Sequence, residues 1–211
     1  MRRGKTIKNK LKNFKILFNN VRGIKSKVKS LQDVVMETQP TVICLVETHL
    51  QKDEILEIEG YEIIRNDRQQ QGGGVLIAYK SELHHIIKEV NRESVNGETI
   101  WIKIDNNKQR IRLAVVYAPQ ERRSERTKIK QMYDNIENEI IKANENNEKV
   151  LIIGDMNCKI GTKIAGNKSK VSMAGKIMNT MMEKHNLTPI NSNSKCEGLW
   201  TIENKATVNQ L

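Results

Sequence analysis

The stretch KVLIIGDMN, Lys149 to Asn157, decides how this chain is read. It is an apolar, β-branched run that ends in a turn presenting Asp155 and Asn157 two residues apart. Such a run reads as a buried strand, and Gly-Asp at its exit is often no more than a turn. A carboxylate and an amide displayed where a core strand meets solvent also suit phosphate ester cleavage, one group activating water and the other holding a phosphoryl oxygen. Three more polar residues stand at apolar runs and favour the chemical reading: Asn20 after KILFN, Glu47 after TVICLV, and Tyr117 within RLAVVYAP. Polar side chains that each end a buried strand collect at one edge of a sheet, so two carboxylates, two amides and a phenol converge on one cleft.

Working outward, Lys15 to Asn19 reads as the first strand. Ile24, Val28, Leu31 and Val35 place one apolar stripe on a helix that Pro40 closes. Thr41 to Val46 is a short apolar run, as in a strand covered on both faces. Tyr61 to Ile64, Gly74 to Tyr79, Ile86 to Val90, Thr99 to Ile104 and Arg110 to Tyr117 follow as strands, with Asn106-Asn107 placed as a hairpin turn. The triple glycine Gly72 to Gly74 lacks the Lys-Ser/Thr of a P-loop and reads as a flexible turn into a strand. Ile129, Met132, Tyr133, Ile136 and Ile140 mark a second helix, from about Ser124 to Asn146. Ala174, Ile177, Met178 and Met181 mark a third, capped by Ser172. Strands with helices inserted between them predict an α/β fold of two packed sheets with helices outside.

A chain of 211 residues is one ordinary domain, long enough to bury roughly 70% of its unfolded surface. Its charge of +11 is uneven, because Met1 to Lys15 holds seven Lys or Arg and no acid, leaving +4 for the rest. The sequence therefore divides into a basic arm, 1–13, expected to be disordered, and a domain, 14–211. The arm fits phosphate contacts, a nuclear import signal or a solvated tail; it is too rich in Lys and too poor in Ser for a mitochondrial presequence. Cys44, Cys158 and Cys196 are odd in number and lack metal spacing, which favours a reducing compartment, with Cys44 in the core and Cys158 a bystander. No apolar stretch approaches the ~20 residues of a membrane span, so a soluble protein, nuclear or cytoplasmic and not secreted, is expected.

The segments FNNVRGI, ICLVETHL, GGGVLIAYK, VVYAPQ and LIIGDMN resemble, in order and separation, the endonuclease/exonuclease/phosphatase superfamily. GGGVLIAYK and ETHL are most similar to the endonuclease domain of non-LTR (LINE-type) retrotransposons. The resemblance spans Phe14 to Thr201 and implies a four-layer α/β sandwich, two packed mixed sheets flanked by helices, here lacking its last strands. It implies hydrolysis of a DNA phosphodiester with Mg²⁺, for which Mn²⁺ can substitute, and a reverse transcriptase domain in full-length relatives. Within that resemblance Glu47 is a metal ligand, assisted by Asn20, chosen over Asn19 by the NVRG match, and by Asp155. Asp155 orients or deprotonates water, Asn157 holds a non-bridging oxygen, and Tyr117 donates to the phosphate.

Two departures from the family pattern stand out. Gln120 replaces the usual Asn after the YAP motif. After Trp200 and Thr201, which match, the family continues with an Asp strand and a Ser-Asp-His motif, whereas this sequence reaches Leu211 where that strand is due. His49, His84, His85 and His185 do not follow Ser-Asp and do not stand in. The resemblance thus leaves three readings: a DNA-nicking domain, an inactive truncated remnant that at most binds nucleic acid, or, disfavoured by GGGVLIAYK, a phosphatase or lipid phosphodiesterase of the same superfamily.

Overall fold

The computed structural model describes residues 14–68, 72–93, 98–106, 108–163 and 169–192. The basic arm, Cys196, Trp200, Thr201 and the expected loss of the last strands lie outside the described residues. The chain divides into two compact units, Met1–Asn157 and Cys158–Leu211.

In the first unit, β1 (Ile16–Asn20), β2 (Val42–Val46), β3 (Tyr61–Asn66) and β4 (Val75–Lys80) form one sheet in the order β1-β2-β4-β3. A second sheet runs β5 (Ile87–Glu93), β6 (Glu98–Asp105), β7 (Arg110–Tyr117) and β8 (Lys149–Asp155) in sequence order. Both are mixed: β1–β2 and β7–β8 are parallel, and the other neighbours are antiparallel. A parallel pair needs a crossover, and α1 (Val28–Thr38) and α2 (Arg126–Glu145) provide the two.

The apolar patterns place the layers. β2 is buried at all five positions, because its alternate residues enter different cores. Val42, Cys44 and Val46 face Ile100, Ile102, Leu113 and Val115 between the sheets. Ile43 and Leu45 meet Leu31 and Val35 of α1 on the other face. Trp101 of β6 lines a cavity with Met132 and Ile136 of α2, which covers the second sheet. The order helix, sheet, sheet, helix is the expected four-layer arrangement. Burial pushes the Cys44 thiol up to about 12, in keeping with a packing role. No helix among the described residues is long and apolar enough to cross a membrane.

Element boundaries differ in detail from the sequence reading. The first helical stretch opens with a 3-10 turn, Lys25–Lys27, and becomes α-helical only at Val28. It stops at Gln39, which adopts the left-handed conformation before Pro40. β6 begins at Glu98, one residue earlier than its apolar run. At the β6–β7 hairpin Asn106 Oδ1 accepts from the backbone N–H of Lys108 at 3.1 Å and Gln109 at 2.7 Å, while Asn107 lies outside the described residues. In the second unit, α3 (Met173–His185) begins as its spacing predicts: Ser172 Oγ accepts from Gly175 N–H at 3.1 Å, and Ala174, Met181 and Met182 are buried.

A charged cluster pins α2 to the second sheet. Arg112 of β7 donates to Glu148 Oε2 and Glu139 Oε2, each at 2.6 Å. Lys103 and Lys142 pair with the remaining oxygens, at 2.9 Å and 2.7 Å. Burial raises the Glu148 pKa, but hydrogen bonds from Arg112 and Lys103 outweigh it and hold that carboxyl below its usual range. Removing one partner from a buried ion group costs about 3–5 kcal/mol. Arg112→Met should therefore lower unfolding free energy in urea by about 3 kcal/mol, the low end because the two lysines remain. A loss under about 1 kcal/mol would show that the lysines alone hold the carboxylates.

Candidate active site

The interior between the sheets ends in polar side chains. The alternation that puts Ile100, Leu113, Val115, Leu151 and Ile153 against the inter-sheet core continues to Glu98, Tyr117 and Asp155. These three are direct register partners across β6, β7 and β8. Asn20 ends β1, and Glu47 is the first residue past β2. Asn20 Nδ2 donates to Glu47 Oε1 at 2.7 Å and to Asp155 Oδ2 at 3.3 Å, so one amide joins the sheets. Asp155 Oδ1 accepts from Asn157 N–H at 3.1 Å, and Asn157 Nδ2 donates to the Ala118 carbonyl at 2.7 Å. The five residues singled out in the sequence thus occupy one place.

The backbone that holds them is unusual. Gly154 precedes Asp155 because nothing larger fits: a Cβ there would lie 1.9 Å from the Val116 carbonyl oxygen on the neighbouring strand. Glu47, His49 and Asn157 have φ of +54°, +54° and +43°. For residues with a side chain this left-handed region costs ~1–2 kcal/mol each, and such strain persists only where neighbours over-determine it. Here Gly23 N–H donates to the Glu47 carbonyl at 2.7 Å, and the N–H groups of Thr48 and His49 donate to the carbonyls of Gly74 and Gly73 at 3.2 and 2.9 Å.

Burial, then the charge of Glu47 and a hydrogen bond to it, push the Tyr117 phenol up to about 12. It is a proton donor at neutral pH. Arg68 lies over the Tyr117 ring, 5.8 Å from its centre, and pairs with Glu98. Burial also raises the Glu98 pKa, against the opposing pull of Arg68.

The donor chemistry suits a hard cation. Among the described residues no group of three or more His, Cys, Asp and Glu could hold a metal, which leaves nothing resembling a closed zinc site. Glu47 and Asp155 lie close enough to share the Asn20 amide, and Mg²⁺ binds through one or two carboxylates while keeping several waters. The Asn20 nitrogen faces the carboxylates, and its Oδ1 accepts from Arg22 N–H at 3.3 Å. In this orientation the amide spaces the carboxylates; direct ligation through Oδ1 requires it to turn over.

The neighbouring residues complete the inventory. His49 Nε2 sits 3.7 Å from Glu47 Oε2, beside the site, while His84 engages Glu62 at the surface. Gln120 is exposed, its Oε1 accepting from Arg122 at 3.3 Å. Sequence reasoning missed Glu98 and Arg68. Counting back two residues from Ile100 places Glu98 on the inward face, and that was the available signal.

A model of the Endonuclease/Exonuclease/phosphatase family matches residues 20–164. AP endonuclease LMAP from Leishmania major is 16% identical with a TM-score of 0.64, over 82% of this chain and 67% of that one. The 3' phosphatase NExo from Neisseria, bound to product DNA hairpin, is 15% identical with a TM-score of 0.61, over 81% and 70%. The endonuclease domain of TRAS1, a telomere-specific non-LTR retrotransposon, is 13% identical with a TM-score of 0.58, over 82% and 70%. At these identities the likeness is one of fold. No curated protein matches the sequence.

The raised phenol gives a pH signature. An unfolded Tyr117 ionises near 10.0 and the folded one at about 12, so this group's contribution is complete below pH 10 and is lost as pH rises toward 12. In urea titrations the Tyr117→Phe midpoint should fall less between these pH values than that of wild type. Equal falls would mean that the folded site does not hold the phenol protonated.

Proposed function

The chain belongs to the endonuclease/exonuclease/phosphatase family, whose members hydrolyse phosphoester bonds, and from that premise we propose that it nicks DNA with the help of Mg²⁺ or Mn²⁺. The observation that carries this reading is the Asn20 amide shared by Glu47 and Asp155, with Tyr117 and Asn157 alongside. Retrotransposon-type endonuclease activity is the finer reading, supported by the ETHL and GGGVLIAYK segments. Exposed Arg22, which follows Asn20, and exposed Arg122 and Arg123, which follow Tyr117, suit the phosphate backbone flanking a cleaved bond.

Hydrolysis proceeds by in-line attack of water on the phosphorus, which forms one P–O bond and breaks the P–O bond opposite it, the departing alkoxide taking its proton from solvent. Glu47, with Asp155, would hold the cation, which would polarise a phosphoryl oxygen and offset developing negative charge. Asp155 accepts a hydrogen bond from the attacking water and draws off its proton; its other contacts, to Asn20 and Asn157, fix the carboxylate plane. Asn157 spends one amide hydrogen on Ala118 and offers the second to a non-bridging oxygen. Tyr117, protonated at working pH, donates to the phosphate as charge builds. Asn20 keeps the two carboxylates in register.

Nicking of supercoiled plasmid in Mg²⁺ or Mn²⁺ tests this directly. Activity should vanish with chelator and fall about 10²–10³-fold in Asp155→Ala, as for loss of one preorganised catalytic group. Glu47→Gln should weaken Mn²⁺ binding. A chain that binds DNA but nicks no faster than its Asp155→Ala variant would be a binding remnant instead.

A further inference from the structure

Glu98, the first residue of β6, is a carboxylate with 1% of its surface exposed, and nothing in the proposed chemistry uses it. A buried charge is tolerated only when fully partnered. One side of Glu98 pairs with the Arg68 guanidinium, and Oε2 accepts from Gly74 N–H at 2.9 Å. Gly74 closes the turn Gly72 to Gly74, whose three φ angles are +85°, +73° and +88°. The ion pair packs on the Gly73 backbone, where a Cβ would lie 2.6 Å from Arg68 Nε and 2.8 Å from Glu98 Oε2. The Gly74 N–H is thereby committed to a carboxylate. The outer side of the turn carries the next link, since the Gly74 and Gly73 carbonyls accept from Thr48 and His49, the residues that follow Glu47.

We propose that Glu98 is a positioning residue: through Arg68 and Gly74 it fixes the triple-glycine turn, and that turn sets the left-handed backbone that aims Glu47 into the site. Glu98 touches no reacting atom. The inference rests on the phosphodiesterase reading only for its effect on turnover; the mechanical link from Glu98 to the Glu47 turn stands on geometry alone. Support of this kind behind a metal-binding carboxylate is worth about 10–100-fold in metal affinity or activity.

Residue-resolved amide exchange on the full chain separates the two questions. In Glu98→Ala the Thr48 and His49 amides should exchange at least ~10-fold faster, while those of Ile43 and Leu45 keep their protection. Glu98→Gln retains an acceptor for Gly74 and should restore protection to within about threefold. In plasmid nicking, Glu98→Ala should lower kcat about 10–100-fold with KM for DNA unchanged, and Gln should recover part of the loss. If Glu98→Ala fails to fold, Arg68→Gln takes its place with the same expected shift. Unchanged exchange at Thr48 and His49 in a folded variant overturns the proposal. Shifted exchange in a chain whose wild type does not nick supports the link and contradicts the phosphodiesterase reading instead.

Discussion

Asn20 Nδ2 donates at once to Glu47 Oε1 and Asp155 Oδ2, and those two hydrogen bonds join the sheets at the polar end of the interior they enclose. Two carboxylates brought this close repel each other, and an unmet charge beside a buried core is expensive. The amide is an uncharged donor that satisfies one oxygen of each without neutralising the pair, so it preserves their attraction for a cation. Everything else at the site follows from that spacing. Glu47 must leave β2 at an angle that reaches Asn20, and Asp155 must stay in register with Tyr117 one strand over.

The cost is met by backbone rather than by side chains. Glu47 and His49 occupy a region of conformational space that residues with a Cβ avoid, and three chain segments are stitched together to keep them there. Gly74 and Gly154 serve the same end, each allowing a neighbour closer than any Cβ would permit. The site is built of main chain and polar strand ends.

Much of this was legible in the sequence, for a physical reason. Strands covered on both faces are continuous apolar runs, so the polar residue at each exit is conspicuous, and Asn20, Glu47, Tyr117 and Asp155 could be singled out without knowing how the strands pair. The stripe Ile129, Met132, Tyr133, Ile136 and Ile140 likewise fixed the buried face of α2. The signal for Glu98 was masked because it follows Asn96-Gly97 and precedes an apolar run, the usual address of a solvated turn residue. Its burial depends on Arg68 and Gly74, contacts made across 30 and 24 residues of sequence. Glu139 was hidden in the same way among the charges of α2, since only the pairing of β7 with α2 brings Arg112 to it.

Glu47, Asn20 and Asp155 are the proposed holders of a divalent cation, with Asn157 beside them. The most direct measurement is a titration of Mn²⁺ into isotope-labelled protein, following paramagnetic broadening of the amide resonances. The amides of Asn20, Glu47, Asp155 and Asn157 should broaden first, at substoichiometric Mn²⁺, and Mg²⁺ should reverse the effect. Broadening centred on another part of the chain, or spread evenly over its acidic surface, would contradict that assignment.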